Sequence, residues 1–195
     1  MTKGLLIVYS GPSGVGKSTI LHRVLKNKEL NLVFSVSMTT RSKRDGEIDG
    51  KDYFFVDKET FEKAIGEDKF LEHARYVDNY YGTPKDYVEK QRLLGKNVVL
   101  EIDVQGGLQV IKKCPDALSI FIMPPSIETL ENRLVGRGSE KQEIIDKRVN
   151  EAKREIKDGE IYKYHVVNDD LDKAVLKVIN IIEDEMKDWC CLIIS

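Results

Sequence analysis

The chain has 195 residues, and its 31 Lys and Arg against 33 Asp and Glu give a formal net charge of -2. This balance argues against a protein that coats nucleic acid non-specifically, and a hydrophobic content of 41% excludes a disordered chain. The three cysteines form no CxxC pair, which argues against a disulfide framework and a zinc knuckle. The apolar run at residues 5–9 is too short for a signal peptide or a membrane helix, so we expect a soluble cytoplasmic protein without nucleic-acid or membrane partners.

Short apolar runs alternate with longer periodic segments along the chain. Nearly unbroken apolar runs are typical of strands that are covered on both faces of a parallel sheet. Four such runs occupy residues 5–9, 98–102, 118–122 and 164–167. Helices are predicted at residues 84–94, with Thr83 as a candidate N-cap, at residues 127–135 after the cap Ser126, and from Leu171 onward. The alternation predicts an α/β fold with a parallel sheet.

Two stretches depart from this rhythm. Residues 35–82 are denser in charged and aromatic side chains, which indicates short, antiparallel strands around one helix at residues 58–67. Residues 133–154 are rich in Arg and Lys, and the glycines at 136 and 138 suggest a hinge. We interpret both stretches as insertions into the α/β core.

The strongest local signal directly follows the first apolar run. Residues 11–19 match the phosphate-binding pattern G-x-x-x-x-G-K-[ST] and lead into a helical pattern. Glycines let successive backbone N–H groups point at phosphate oxygens, and the helix N-terminus adds partial positive charge. Lys17 is expected to bridge the β- and γ-phosphates of a nucleotide, and the Ser18 hydroxyl to hold Mg²⁺. The residues predicted to form this loop are Gly11, Pro12, Ser13, Gly14, Val15, Gly16, Lys17, Ser18 and Thr19.

A phosphate loop alone does not distinguish GTPases, ATPases and small-molecule kinases. For each of the next polar residues, the sequence allows both a binding role and an ordinary structural role. Arg41 and Arg44 follow a strand and suit forked bonds to a phosphate, or they belong to a solvated basic loop. Tyr53 and Tyr81 offer hydroxyl groups nearby, or they pack within a β-rich subdomain. Glu72 stands among apolar residues, where a carboxylate could accept hydrogen bonds from a base such as guanine, or it is an exposed strand residue.

Charged residues further along the chain are equally open. Glu101 and Asp103 end an apolar strand, where a carboxylate beside a phosphate loop can hold Mg²⁺ or its waters, or simply face solvent. Arg133, Arg137 and Arg148 lie in the second insertion. Mobile arginines there could close over a transferring phosphoryl group, or they lie on a solvated, charged helix pair.

Taken together, the motifs resemble one family. The segments SGPSGVGKST, FSVSMTTRxxR, GxDYFF, FLE, NYYGT, LEIDVQG, PPS, RLxGRG and VVNDD occur in this order between about residue 4 and about residue 186. This combination is similar to the guanylate kinases, nucleoside-monophosphate kinases that transfer a phosphoryl group from ATP to GMP. Two other classes remain open: a non-catalytic, guanylate-kinase-like module that binds phosphopeptides, and a related P-loop kinase that acts on a phosphorylated ribose.

The resemblance implies a three-part α/β protein. A P-loop core of about five parallel strands with helices on both faces takes residues 1–36, 93–130 and 151–195. A mixed α+β insertion that binds GMP takes residues 37–92, and a helical lid takes residues 131–150. We expect a monomer or a homodimer.

The resemblance also implies roles for single residues. Guanine is read by Ser37, Glu72, Thr83 and Asp103, and the GMP phosphate is held by Arg41, Arg44, Tyr53 and Tyr81. ATP is bound by residues 11–19 and Asn168, and the catalytic residues are Lys17, Arg133, Arg137 and Arg148. Mg²⁺ accompanies ATP and is held by Ser18 and, through water, by Asp103.

Overall fold

Strands and helices alternate along the chain, which the computed structural model describes over residues 2–135 and 142–194. The strands are β1 (Leu6–Ser10), β2 (Leu32–Phe34), β3 (Met38–Thr39), β4 (Phe54–Phe55), β5 (Phe70–Tyr76), β6 (Asn79–Pro84), β7 (Asn97–Glu101), β8 (Leu118–Met123) and β9 (Tyr164–Val167). The helices are α1 (Lys17–Val24), α2 (Lys58–Gly66), α3 (Lys85–Leu93), α4 (Val104–Lys113), α5 (Ile127–Val135), α6 (Gln142–Asp158) and α7 (Leu171–Ile194). Within the described ranges, none of these helices has the length and apolar character needed to cross a membrane.

Five strands form a wholly parallel sheet in the order β2-β7-β1-β8-β9. The four apolar runs identified in the sequence are β1, β7, β8 and β9, so the predicted parallel core is confirmed. Its fifth strand, β2, has only three half-buried residues and lies at the edge. All three of its residues, Leu32, Val33 and Phe34, are apolar, but a run this short does not stand out as a strand in the sequence.

The two faces of the central strand explain the layers of the core. Ile7 and Tyr9 pack on the side of α1 and α7, whereas Leu6 and Val8 pack on the side of α3 and α4. Successive side chains of a strand point to opposite faces, so a strand covered on both faces must be apolar throughout. The prediction of helices on both faces of the sheet is therefore confirmed.

The second sheet has four strands in the order β4-β3-β6-β5. Strand β6 pairs antiparallel with both β3 and β5, while β3 and β4 pair in parallel. Helix α2 covers this sheet with Phe61, whose ring stacks on Phe70 at a centroid distance of 4.5 Å. The sequence predicted strands around one helix here, and the parallel β3–β4 pair is the departure from the antiparallel expectation.

The start of α3 corrects one prediction. Thr83 is the penultimate residue of β6 and Pro84 is the N-cap, so Thr83 does not cap the helix. Its hydroxyl donates instead to Glu72 Oε1 at 2.6 Å, because antiparallel pairing of β5 and β6 brings the two side chains together. The predicted cap Ser126 is confirmed, since its Oγ accepts the N–H of Thr129 at 3.0 Å.

Candidate functional site

The loop between β1 and α1 has the backbone that a phosphate site needs. Gly14 and Gly16 have φ angles of 84° and 93°, a left-handed conformation that side chains disfavour. A Cβ at Gly16 would also lie 2.7 Å from Asn168 Nδ2, so this close approach is a second reason, besides the φ angle, why the position requires glycine. The loop therefore curls in front of the α1 N-terminus, where unpaired N–H groups favour an anion.

Lys17 extends across the mouth of this loop. Its ammonium group donates to the carbonyl oxygens of Gly11 and Pro12, the second at 3.0 Å. Burial lowers the pKa of Lys17, while the carboxylates of Glu155 and Glu101 oppose that shift. Neutral carbonyls are weaker partners for an ammonium group than an anion is, so Lys17 is available to a phosphate at the loop.

Ser18 has a carboxylate partner that the sequence did not assign to it. Its hydroxyl donates to Glu101 Oε1 at 2.5 Å, at the carboxyl end of β7. Two oxygen groups suit Mg²⁺, which prefers oxygen ligands and usually keeps waters and substrate phosphates as the others. The described residues hold no group of three or more His, Cys, Asp or Glu that could bind a metal alone. The residues present thus fit a cation that arrives with a nucleotide.

Asp103, the other residue assigned to the metal, follows Glu101 by two residues, and its charge also opposes the fall in the pKa of Lys17. Its Oδ1 accepts the N–H of Gly106 at 2.7 Å and caps α4, and the residue lines the pocket described below. A role for Asp103 toward the metal stays a prediction.

Three polar contacts surround the phosphate loop from the C-terminal half of the chain. Asn168 Nδ2 donates to the Val15 carbonyl at 2.8 Å, and Arg133 Nη2 donates to the Asn168 carbonyl at 2.9 Å. Arg148 Nη2 donates to Ser13 Oγ at 2.7 Å. The structure thus brings Arg133, Arg148 and Asn168 to the loop, as expected for one site. Arg137, Gly136 and Gly138 lie outside the described residues.

A second site lies between the two sheets, as a cavity of about 270 Å³. The residues that line it come from β5, from β6, from the segments just before β3 and β4, and from the end of β7 and the residues after it. Both sheets therefore contribute to its walls. Five of the predicted acceptor residues line it, together with Ala74, Tyr76, Glu101 and Ile102; those five are Ser37, Tyr53, Glu72, Tyr81 and Asp103.

Glu72 supplies a buried carboxylate to this cavity. The residue is 7% exposed, and burial raises the pKa of Glu72, opposed by the hydrogen bond from Thr83 and reinforced by nearby Asp103. A Cβ at Gly106 would lie 3.1 Å from Glu72 Oε2, so the first turn of α4 closely abuts the carboxylate. Such an acceptor group favours a ligand that presents N–H donors.

Arg41 lies at the other end of the same region. Its guanidinium group lies 5.4 Å from the centroid of the Tyr53 ring and pairs with Glu47 through two hydrogen bonds. The backbone N–H of Arg44 donates to the same Glu47 carboxylate at 2.8 Å, while the Arg44 side chain is exposed. The Tyr53 and Tyr81 ring centroids lie 6.1 Å apart. The structure thus brings these two tyrosines and Arg41 together.

Glu47 is a residue that sequence reasoning missed. The available signal was an acid three residues after Arg44 and six after Arg41, in a loop whose other charged residues are Lys43 and Asp45. That spacing fits a loop that folds back on itself, and the described turn from Arg44 to Glu47 does so.

Comparison with known proteins gives one consistent family. A family model described as guanylate kinase matches residues 3–185. A guanylate kinase of Listeria innocua serovar 6a is 50% identical over 183 residues, which cover 94% of this chain and 89% of that protein. A crystal structure of guanylate kinase from Anaplasma phagocytophilum matches with a TM-score of 0.71 at 35% identity, covering 95% of this chain and 87% of that one. The similarity therefore spans both sites.

Proposed function

The chain belongs to the guanylate kinase family and transfers a phosphoryl group from ATP to GMP, and we propose that its two sites divide this reaction between them. The phosphate loop holds ATP, and the cavity between the sheets holds GMP. In this division, residues 1–36, 93–130 and 151–195 form the core, residues 37–92 the acceptor insertion and residues 131–150 the lid.

The observation that carries this assignment is the buried carboxylate of Glu72 inside the cavity. Guanine presents an N1–H and an exocyclic amine side by side, and one carboxylate can accept from both. Adenine presents an acceptor at N1, which would place an acceptor against the buried Glu72 carboxylate and leave it with the Thr83 hydroxyl but no donor from the base. Ser37, Thr83 and Asp103 complete the reading of the base, since they line the cavity or bond to Glu72.

The phosphate of GMP fits the opposite end of the acceptor site. Arg41 and Arg44 supply positive charge there, and the hydroxyl groups of Tyr53 and Tyr81 supply donors. Planar guanidinium groups bind phosphate oxygens in pairs, which fixes orientation as well as charge. In this arrangement, GMP is held at both its base and its phosphate.

The donor site combines backbone and side-chain groups. Residues 11–19 surround the phosphates of ATP, Lys17 neutralises charge between its β- and γ-phosphates, and Asn168 borders the loop on the adenine side. Ser18 and Glu101 would hold Mg²⁺ directly or through water, and Mg²⁺ would neutralise charge on the ATP phosphates.

The chemistry requires positioning and charge neutralisation. The attacking oxygen belongs to a phosphate that is largely ionised at neutral pH, so no general base is needed to remove a proton. Arg133, Arg137 and Arg148 neutralise the negative charge that spreads over the transferred phosphoryl group. Closure of the lid around them excludes water and so protects ATP from hydrolysis.

An acceptor panel tests the assignment. ADP release is measured with ATP and with GMP, AMP or ribose 5-phosphate as the acceptor. We expect kcat/KM for GMP to exceed that for AMP by about 10⁴-fold or more, because sites built on buried hydrogen bonds reject a mismatched partner strongly. Comparable turnover with AMP, or faster turnover with the phosphorylated ribose, would contradict the assignment. Absence of turnover with every acceptor would favour the phosphopeptide-binding alternative.

A further inference from the structure

One carboxylate organises both arginines at the phosphate end of the acceptor site. Glu47 Oε1 accepts from Arg41 Nη2 at 2.7 Å, and Oε2 accepts from Arg41 Nη1 at 3.1 Å. The same Oε2 accepts the backbone N–H of Arg44 at 2.8 Å. These hydrogen bonds hold the pKa of Glu47 below its usual range, so the group is an anion at neutral pH.

The bonds to Glu47 use one particular edge of the Arg41 guanidinium group. Nη1 also donates to the carbonyl oxygen of Ser42 at 2.8 Å, so both Nη1 hydrogens and one Nη2 hydrogen point at Glu47 and Ser42. The guanidinium group carries five N–H bonds in a rigid plane. The remaining two, on Nε and Nη2, lie parallel on the other edge and match the spacing of two phosphate oxygens.

Aromatic rings fix the same plane from a different direction. The guanidinium carbon lies 5.4 Å from the Tyr53 centroid and 5.7 Å from the Phe55 centroid. The side chain of Arg41 is 14% exposed, so few other orientations are open to it. Arg41 is therefore held in one orientation by groups of the protein itself.

We propose that Glu47 is a positioning residue for the acceptor phosphate, acting through Arg41. This inference rests on the proposed function, in which Arg41 binds the phosphate of GMP. Glu47 has two opposed effects on that phosphate: its negative charge repels it, and its hydrogen bonds orient the groups that bind it. The repulsion is offset by the positive charge of Arg41, which pairs with both oxygens of Glu47. The fixed orientation of Arg41 lowers the conformational entropy that its long side chain would otherwise lose when the phosphate binds. Orientation dominates, so loss of the Glu47 carboxylate weakens GMP binding.

Calorimetric titration of the full chain with GMP and with guanosine tests this inference. Glu47→Gln keeps the size of the side chain and removes the charge, and we expect it to raise the Kd for GMP about tenfold. The Kd for guanosine, which has no phosphate, should stay within about twofold of the wild-type value, because Glu47 acts only through the phosphate end. A role limited to the overall folding of the protein would weaken both ligands alike. A role limited to the loop backbone, through the N–H of Arg44, would give a loss of GMP affinity that persists in the Arg41→Ala background tested below.

Asp45→Asn is the matched control. It removes the same charge from the same exposed loop, and the described contacts of Arg41 do not involve Asp45. It should leave the Kd for GMP unchanged or lower it by less than about threefold, because it relieves repulsion alone. Glu47→Asp keeps the charge but withdraws the carboxylate by one methylene, and should fall between wild type and Glu47→Gln.

A double-mutant cycle with Arg41→Ala separates this inference from the assignment beneath it. Arg41→Ala should raise the Kd for GMP strongly. Adding Glu47→Gln to Arg41→Ala should change that Kd by less than about twofold, because the guanidinium group that Glu47 positions is then absent. If Arg41→Ala leaves GMP affinity intact, both the assignment of Arg41 and the role of Glu47 are wrong. If Arg41→Ala raises the Kd for GMP while Glu47→Gln has the same Kd for GMP as Asp45→Asn, the assignment of Arg41 stands and only the role of Glu47 is overturned. Additive losses in the cycle overturn it as well.

Discussion

The proposed division of labour has the phosphate loop and the acceptor cavity recognise their ligands with different parts of the chain. In the loop, the curvature of the backbone and the N-terminus of α1 provide the binding groups, and glycines make that curvature possible. At the cavity, side chains from separate segments provide them: Glu72 is buried in its lining, and Arg41 lies beside Tyr53, which also lines it. A backbone site depends on one local conformation, whereas a side-chain site depends on how two sheets meet.

This difference predicts that the two sites respond separately to substitution. Changes in the loop should affect phosphoryl transfer and leave GMP binding alone, while changes around the cavity should affect GMP and leave ATP alone. Three experiments break or sharpen the comparison, and a fourth tests the hairpin beside the acceptor cavity; they follow in order from the largest effect to the smallest.

Lys17→Ala should lower kcat by at least about 10²-fold, because it removes a charge that neutralises the transferred phosphoryl group. The Kd for GMP should stay within about threefold, since Lys17 does not line the acceptor cavity. Steady-state kinetics and GMP calorimetry measure the two effects. Lys26→Ala, at an exposed position beyond α1, is the control and should behave like wild type. Near-normal kcat in a folded Lys17→Ala protein would show that Lys17 is not the phosphate ligand.

Gly106→Ala should raise KM for GMP by about tenfold and change kcat little, because its methyl group displaces the Glu72 carboxylate by a few tenths of an ångström. The Asp103 carboxylate, 3.3 Å from the added Cβ, would shift with it. Gly66→Ala is the control: its Cβ meets no atom within 4 Å, and the position lies at the end of α2. Equal KM values for the two variants would mean that the contact of α4 with Glu72 does not set acceptor affinity.

The burial of Glu72 predicts opposite pH trends for binding and for stability. Because burial raises its pKa, the carboxylate becomes protonated at a higher pH than an ordinary glutamate, and GMP binding should weaken as the pH falls through that value. The folded protein favours the protonated form, so the stabilisation is complete at low pH and is lost as the pH rises through the folded-state pKa.

Glu72→Gln should remove both trends. Its melting temperature should exceed that of wild type at pH 8, and the difference should shrink toward pH 4, where wild-type Glu72 is neutral. Paired thermal melts and GMP titrations over this range give the comparison. A wild-type melting temperature equal to that of the variant at every pH would show that ionised Glu72 carries no cost.

Val77 offers the smallest effect, in the hairpin between β5 and β6. It has a φ of 54°, which a β-branched residue strongly disfavours, and its side chain is 73% exposed. Val77→Gly should stabilise the protein by about 0.5–1 kcal/mol, because relief of the strained φ outweighs the added freedom of the unfolded chain. Chemical denaturation measures the change. A loss of stability would mean that the exposed side chain contributes contacts that outweigh the strain.

The same contrast explains how much could be predicted from the sequence. The phosphate loop was predictable residue by residue, because its nine positions are contiguous and the pattern that identifies them is local in the sequence. The four apolar strands were predictable as well, since burial on both faces leaves an unbroken run. The edge strand β2 is also apolar, but its run of three residues is too short to identify a strand.

The acceptor side shows where reasoning from the residues stops. Arg41 and Glu72 each kept an ordinary surface interpretation until the family resemblance was added, because nothing local indicates which segments meet. The bond from Thr83 to Glu72 depends on the register of β5 against β6, and the bond from Ser18 to Glu101 joins residues 83 positions apart. Such pairs are set by tertiary contacts, and the cap assigned to Thr83 was wrong for that reason.

The most direct test of this account measures both substrate constants of Glu72→Gln with ATP and GMP. Glutamine keeps the shape of the side chain and can still accept from Thr83, but it cannot accept from two N–H groups of guanine as a carboxylate does. We predict that kcat/KM for GMP falls by about 10²-fold while KM for ATP stays within about threefold. A kcat/KM for GMP within threefold of wild type, or an equal loss for ATP, would contradict the division of the two sites.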